Sequence, residues 1–209
     1  MNTTDFLSIF CSYLLGAVPF GLLIGRLKGI DIREHGSGNI GATNVLRVLG
    51  KPLGITTFIL DALKGFVPSF FFAGLFARLT GAGALAPDVV SVACGAAAIL
   101  GHNFPVFLNF KGGKGIATSA GVLIGIAWQA ALIGVGAWVL VFFTSKYVSL
   151  ASILAAAAVA AAGWVLYPDR GLVLPIVLTI LASLAILRHK ANIKRLLNGT
   201  ENRFGKKKE

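Results

Sequence analysis

Six long apolar stretches divide the chain, near Phe6–Gly25, Leu53–Ala77, Val89–Phe110, Gly115–Phe143, Tyr147–Tyr167 and Gly171–Leu187. Several reach the roughly 20 residues that a helix needs to cross about 30 Å of hydrocarbon. The pattern predicts an all-α, polytopic integral membrane protein. Six spans follow only if Gly115–Phe143 crosses once, and its 29 residues would make a helix of more than about 40 Å at ~1.5 Å per residue. A turn near Trp128-Gln129 suits the interface, because it offers an amphipathic ring and a polar amide. It would divide the stretch into two short helices of about 14 residues each, below the usual length of a span, and give seven transmembrane helices.

Composition agrees with that pattern. Apolar residues make up 56% of the 209 and charged residues 13%, against about a quarter charged in soluble domains. The net charge of +11 would suit nucleic acid, but no soluble domain exists to carry such a site. The basic residues instead select a topology. With seven spans, Arg26, Lys28, Arg33, Arg47, Lys51, Lys111, Lys114, Lys146 and the eight from Arg188 onward share one face, sixteen of nineteen. Arg78 and Arg170 stand on the other face, and Lys64 within a span. Positive-inside sorting then predicts the N-terminus outside and the C-terminus in the cytoplasm. Met1–Asp5 has no basic residue and no small-residue cleavage site follows, so the first stretch reads as a retained span. The chain reads as one transmembrane domain, 1–209, with a basic tail from about Arg188 whose Lys206, Lys207 and Lys208 are solvated. Cys11, Cys94, Ala155–Ala162 and the pairs Gly121/Gly125 and Gly134/Gly136 read as packing residues.

Two glycine-rich polar loops interrupt the apolar background. Gly36-Ser37-Gly38-Asn39-Ile40-Gly41-Ala42-Thr43-Asn44 lies among Arg33, Arg47 and Lys51, and Lys111-Gly112-Gly113-Lys114-Gly115 lies between two apolar stretches. Glycines let successive N–H groups converge on one point and basic side chains add charge, a combination that suits phosphate. The first loop has the Gly-x-Gly-x-x-Gly spacing of a dinucleotide site, but no βαβ unit surrounds it. Ser37, Asn39, Thr43 and Asn44 add neutral donors, and Arg47 a bidentate fork. The second loop lacks the Walker A spacing. Its plainer alternative is a pair of snorkelling lysines at a turn, against which Thr118 and Ser119 one turn later favour a phosphate cradle.

Asp61 and Lys64 lie three apart in the second stretch and share a helix face, which reads as an ion pair supporting the site. His102 reads equally as a hydrogen bonder of the bundle or as a site residue. His189, Asn192 and Arg195 recur every three residues at the start of the tail, where attraction to anionic lipid is the alternative to a site. Ser149 opens a span from the same face. There is no His-Glu-x-x-His helix, no Gly-x-Ser-x-Gly elbow and no Asp-rich cluster, and no histidine is followed by Asp five positions later. The expectation is chemistry by positioning and electrostatics, with no metal and no cofactor.

Four motifs carry a resemblance. They are Ser37–Asn44 with Arg47; Gly101-His102-Asn103-Phe104-Pro105-Val106-Phe107 leading into Lys111–Gly115; Tyr147-Val148-Ser149-Leu150; and His189-x-x-Asn192-x-x-Arg195. In these the chain resembles the bacterial acyl-phosphate:glycerol-3-phosphate acyltransferases, the PlsY family, from the first span to about Glu201. The resemblance implies a seven-helix enzyme of the bacterial inner membrane with its site facing the cytoplasm. It would move a fatty acyl group from acyl phosphate to the 1-hydroxyl of glycerol 3-phosphate, releasing lysophosphatidic acid and inorganic phosphate. Ser37, Arg47, Lys111, His189 and Asn192 are then expected to be catalytic. Gly38, Asn39, Gly41, Thr43, Asn44, Gly112, Gly113, Lys114, Gly115, Ser149 and Arg195 are expected to bind substrate. Lys111, Arg47 and Asn192 would hold the acceptor phosphate, assisted by Ser149 and His189. Lys114 and the Ser37–Asn44 backbone would cradle the acyl phosphate and its developing oxyanion. The base is open between an oxygen of the acyl phosphate and His189. A transporter or channel for phosphate-bearing anions is the alternative of a different class, disfavoured by the lack of paired broken helices in inverted repeats.

Overall fold

A computed structural model describes residues 1–205; Lys206, Lys207 and Lys208 lie outside the described residues. Helices follow one another along these: α1 Thr3–Ala17, α2 Phe20–Leu27, α3 Ala42–Leu49, α4 Lys51–Val67, α5 Ala73–Thr80, α6 Pro87–Asn103, α7 Ile116–Ile126, α8 Trp128–Ser145, α9 Val148–Leu166, α10 Val173–Arg188 and α11 Lys190–Leu197. A π-helical turn, Pro68–Phe72, joins α4 to α5. Five runs are long and apolar enough to cross a membrane: Thr3–Leu27, Lys51–Thr80, Pro87–Leu108, Trp128–Ser145 and Val148–Leu166. A sixth is added if α10 and α11, bent by 56° where they meet, form one span.

The long apolar stretch divides at Ala127, where φ −153° and ψ 56° leave the helical region. The break falls one residue before the expected Trp128-Gln129 turn, and those two residues instead open α8. The halves are also unequal. Helix α7 has 11 residues, about 16 Å of rise and so half a hydrocarbon core. Helix α8 has 18, because it takes in Trp128 and Gln129 at one end and Thr144 and Ser145 at the other. One short helix replaces the expected two.

The chain gathers into two compact units, Met1–Ala127 and the residues from Trp128 onward. In the first, α1 packs along α6 and α4 along α7. Helices α4 and α7 touch through reciprocal glycines. A Cβ on Gly65 would run into the Thr118 carbonyl, and one on Gly121 into the Ala62 carbonyl. Gly125 similarly faces the Ser69 hydroxyl. Small residues let backbones approach where lipid offers no hydrophobic drive to association. This contact fixes the start of α7, and therefore the end of the second glycine loop.

In the second unit α9 packs against both α8 and α10, and α11 folds back onto α9. Gly134 meets Val159, whereas Gly136 has nothing within 4 Å and is not a packing glycine. Cys11 and Cys94 are free thiols.

The glycine contacts make a prediction. Gly121→Val forces a branched side chain against the α4 backbone, an overpacking that costs at least about 1–3 kcal/mol because backbone cannot give way. Gly121→Val should lose the monodisperse peak in detergent size-exclusion chromatography, and Gly136→Val should keep it.

Candidate active site

The first loop is built around one amide. Asn44 sits in the first turn of α3, 1% exposed. Its Nδ2 donates to the carbonyls of Ile32 at 2.9 Å and His35 at 3.1 Å. Its Oδ1 accepts from the Ser37 N–H at 2.8 Å and, more weakly, from Arg47 Nη1 at 3.4 Å. The backbone can wrap that amide only because Gly36 and Gly38 turn through left-handed φ of 62° and 69°. Asn39 closes the loop's far end by accepting from the Gly41 N–H at 2.8 Å. Ser37, Thr43 and Arg47 remain exposed on the outside.

Charge near this loop is distributed differently from its sequence. Arg33 donates to both oxygens of Asp31, at 2.9 Å from Nε and 2.5 Å from Nη2. Those hydrogen bonds hold the Asp31 carboxyl well below the usual carboxylate range, and they spend the Arg33 charge locally. Of the three basic residues that sequence places around the loop, Arg33 is thus paired within its own turn.

The second loop begins where α6 ends. After Pro105 and a 3-10 turn at Val106–Leu108, Asn109 and Phe110 adopt left-handed φ of 48° and 62°. Gly112 N–H then donates to the Asn103 carbonyl at 3.2 Å and Gly113 N–H to the His102 carbonyl at 3.0 Å. Gly115, at φ 82°, caps α7 with no side-chain hydrogen bond. Lys111 is exposed, and Lys114 half-buried. Asn103, buried against Gly115, keeps an amide whose two polar atoms make no hydrogen bond among the described residues.

The two loops share a foundation. Leu22, Ile32, Ile40 and Val45 form a buried cluster beneath the first loop, and Leu108, three residues before Lys111, packs against it. Arg47, Ser37 and the Lys111–Gly115 segment are therefore all carried by one apolar cluster of the first unit.

The second unit has its own polar cluster, centred on a residue that sequence reasoning missed. Glu201 Oε1 accepts from Ser149 Oγ at 2.9 Å and Asn192 Nδ2 at 2.7 Å, while Oε2 accepts from Arg195 Nε at 2.7 Å. Burial pushes the Glu201 carboxyl up, but the bonds from Asn192, Arg195 and Ser149 together outweigh it and hold the group below its usual range. An acid within a basic tail, nine residues after Asn192, was the available signal. His189 stands at the bend between α10 and α11 rather than on α11 itself; its Nδ1 lies 2.8 Å from the Ala185 carbonyl, which requires that Nδ1 carry the hydrogen. The Phe204 N–H donates to the Lys146 carbonyl at 2.9 Å, so the segment after α11 is tied to the start of α9. No group of three or more His, Cys, Asp or Glu side chains is placed to hold a metal ion among the described residues.

Comparison with known proteins agrees across nearly the whole length. A family model described as glycerol-3-phosphate acyltransferase matches residues 6–199. The chain is 48% identical over 202 residues to a glycerol-3-phosphate acyltransferase of Mesorhizobium japonicum, covering 96% of each chain. It is 44% identical over 201 residues to one of Brucella canis, covering 96% of this chain and 93% of that one. Among solved structures, it resembles the crystal structure of PlsY (YgiH), an integral membrane glycerol 3-phosphate acyltransferase in its glycerol 3-phosphate form, with TM-score 0.85, 40% identity and 96% of each chain covered. The lysophosphatidic acid form of that protein gives a TM-score of 0.82 at 40% identity, covering 96% of this chain and 95% of that one.

Glu201 supplies a test that needs no substrate. Glu201→Gln removes the charge from three donors and should destabilise the protein by about 1.5–3 kcal/mol, read as a lower melting midpoint at pH 7. Because folding holds this carboxyl below its ordinary value of about 4.3, its contribution is complete above that pH and is lost as the pH falls through the folded value. The gap between wild type and Glu201→Gln should therefore close on acidification below that value, and not on raising the pH.

Proposed function

The chain belongs to the PlsY-type glycerol-3-phosphate acyltransferases, integral membrane enzymes that produce lysophosphatidic acid, and on that premise we propose how its polar clusters serve the reaction. The donor is an acyl phosphate and the acceptor is glycerol 3-phosphate. The 1-hydroxyl oxygen attacks the acyl carbon, the bond from that carbon to the phosphate oxygen breaks, and inorganic phosphate leaves. Acyl phosphate is a mixed anhydride with a good leaving group, so alignment and charge neutralisation supply most of the acceleration.

The loops of the first unit act on phosphate. Arg47 and Lys111 neutralise the acceptor phosphate, while Lys114 and the Ser37–Asn44 loop cradle the donor; the Ser37, Gly112 and Gly113 N–H groups, engaged by Asn44 and by the Asn103 and His102 carbonyls, hold the two loops in shape. Asn44 acts by holding the first loop in shape, since its amide is engaged with that loop's own backbone. What chiefly supports this reading is the packing of Leu108 on the cluster beneath the first loop, which gives both loops one rigid base. In the second unit, Glu201 holds Ser149, Asn192 and Arg195 in one polar array that suits a phosphate-bearing ligand. The hydroxyl proton passes to a phosphate oxygen of the donor or to Nε2 of His189. The anion-transport alternative falls with the family membership.

For topology we propose seven spans, counting the short α7, with the N-terminus outside and both glycine loops and the tail in the cytoplasm of a bacterial inner membrane. The placement of sixteen of nineteen basic residues on one face supports it. Cysteines introduced at Ser37 and Gly199 of a chain lacking Cys11 and Cys94 should label from the cytoplasmic side, and one at Asp88 from outside. Labelling of positions 37 and 199 from opposite sides would overturn the parity.

The chemistry is tested with the purified protein in detergent and a chelator. Acyl phosphate with glycerol 3-phosphate should give lysophosphatidic acid, and acyl-CoA should give none. Lys111→Ala and Arg47→Ala should each lose about 10- to 150-fold in kcat/KM, the equivalent of one charge-assisted contact. Lys190→Ala, an exposed lysine of the tail, should stay near wild type. Equal losses at 47, 111 and 190 would show that bulk charge and not a defined site is at work.

A further inference from the structure

Behind the second loop lie three titratable side chains to which the proposed chemistry assigns no part. Asp61 and Lys64 stand one turn apart on α4, with Oδ1 and Nζ 2.9 Å apart and side chains 2% and 1% exposed. His102, in the last turn of α6, places Nδ1 3.7 Å from the same Oδ1, beyond hydrogen-bond length but within ion-pair reach. Lys64 Nζ also donates to the Val18 carbonyl at 2.7 Å and lies 5.6 Å from the centre of the Phe20 ring. One carboxylate thus links α4 and α6, and through Lys64 the junction between α1 and α2. Ionised groups inside a membrane are costly, and a buried ion pair adds little stability over apolar residues of the same volume. Their presence points to a use other than holding helices together.

The opposite edge of His102 supplies that use. A Cβ on Gly113 would fall on Nε2 of the imidazole, well inside contact distance. His102 therefore meets the loop twice, through its ring against Gly113 and through its carbonyl, which accepts the Gly113 N–H at 3.0 Å. The ring that fills the space beside Gly113 is the ring that faces Asp61.

We infer that Asp61, Lys64 and His102 form a buried charged strut that sets the position of the Lys111–Gly115 loop, which makes Asp61 and His102 positioning residues for phosphate binding. The inference rests on the reading of that loop as a phosphate cradle. The carboxylate orients the imidazole, the imidazole stands where a side chain at position 113 would be, and the loop's two lysines are aimed as a consequence. Gly112 is constrained in the same way, because a Cβ there would strike the His102 carbonyl.

The test uses the purified full chain in detergent, with KM for glycerol 3-phosphate and kcat measured separately. Asp61→Asn alone would strand the Lys64 charge, so Asp61→Asn with Lys64→Met removes both charges at near-constant volume, while the Val18 carbonyl that loses Lys64 keeps its bond from the Phe20 N–H at 3.2 Å. This double variant should elute and melt like wild type while KM rises at least fivefold. A merely structural role would lower the folded fraction, and so the apparent kcat, at unchanged KM; that result overturns the strut. The second arm reads the contact itself. Gly113→Ala should raise KM at least tenfold by pushing a methyl group onto the ring. Adding His102→Ala should bring the double variant to within threefold of His102→Ala alone. Fully additive losses overturn the inference. If Gly113→Ala leaves KM unchanged, the cradle reading itself has failed; if it raises KM while the charge-free pair does not, only the strut has.

Discussion

In hydrocarbon a carbonyl released from a helix finds no water to bond, so every interruption of a membrane helix must come with its own donor. This chain interrupts its helices where chemistry is needed and supplies each donor from elsewhere in the same unit. Pro19 cannot continue the bonding of α1, and the Val18 carbonyl accepts from Lys64. The end of α6 releases three carbonyls in a row: His102 and Asn103 receive the glycine N–H groups of the second loop, and Phe104 receives the Tyr13 hydroxyl at 2.8 Å. In the first loop the Asn44 amide does the same for Ile32 and His35. The glycine loops are stable because their non-helical backbone is bonded to neighbours before any substrate arrives.

That requirement also sorts the charges. Arg47 and Lys111 lie exposed on the outside of the loops. Two of the buried carboxylates carry a basic partner, Asp61 with Lys64 and Glu201 with Arg195, since an unpaired buried charge is far costlier than a paired one. Glu201 gathers three donors onto one carboxylate, which turns three mobile polar side chains into a fixed array. Preorganisation of this kind is what an acyl transfer with a good leaving group requires of its enzyme.

The motifs separate into side chains that stay exposed and side chains that shape the loops. Within the first loop, Ser37 and Arg47 point outward while Asn44 is fully engaged within, although all three belong to the same motif. Within the second, Lys111 is exposed and Lys114 half-buried, and Gly112 and Gly113 are small because His102 and its carbonyl occupy the space a side chain would need. Helix α7 is short, and its tight glycine contact with α4 places its first turn beside the strut. Loop position in this unit thus descends from helix packing.

The sequence by itself determined where helices can lie and where they cannot. Long apolar runs, the glycine loops between them and the clustering of basic residues are local patterns, and local patterns survive being read one residue at a time. The same reading located the two glycine loops, the ion pair on α4 and the polar face of the tail. Only the tertiary structure decided which polar side chains are engaged inside the protein and which stay exposed. Asn44 bonds residues seven to twelve positions away, Glu201 reaches Ser149 across 52, and Lys64 reaches Val18 across 46. The break at Ala127 and the open surroundings of Gly136 likewise depend on which neighbours arrive. A side chain's partner is set by packing between segments that composition and spacing do not bring together, and for that physical reason the division between brace and ligand was not legible along the chain.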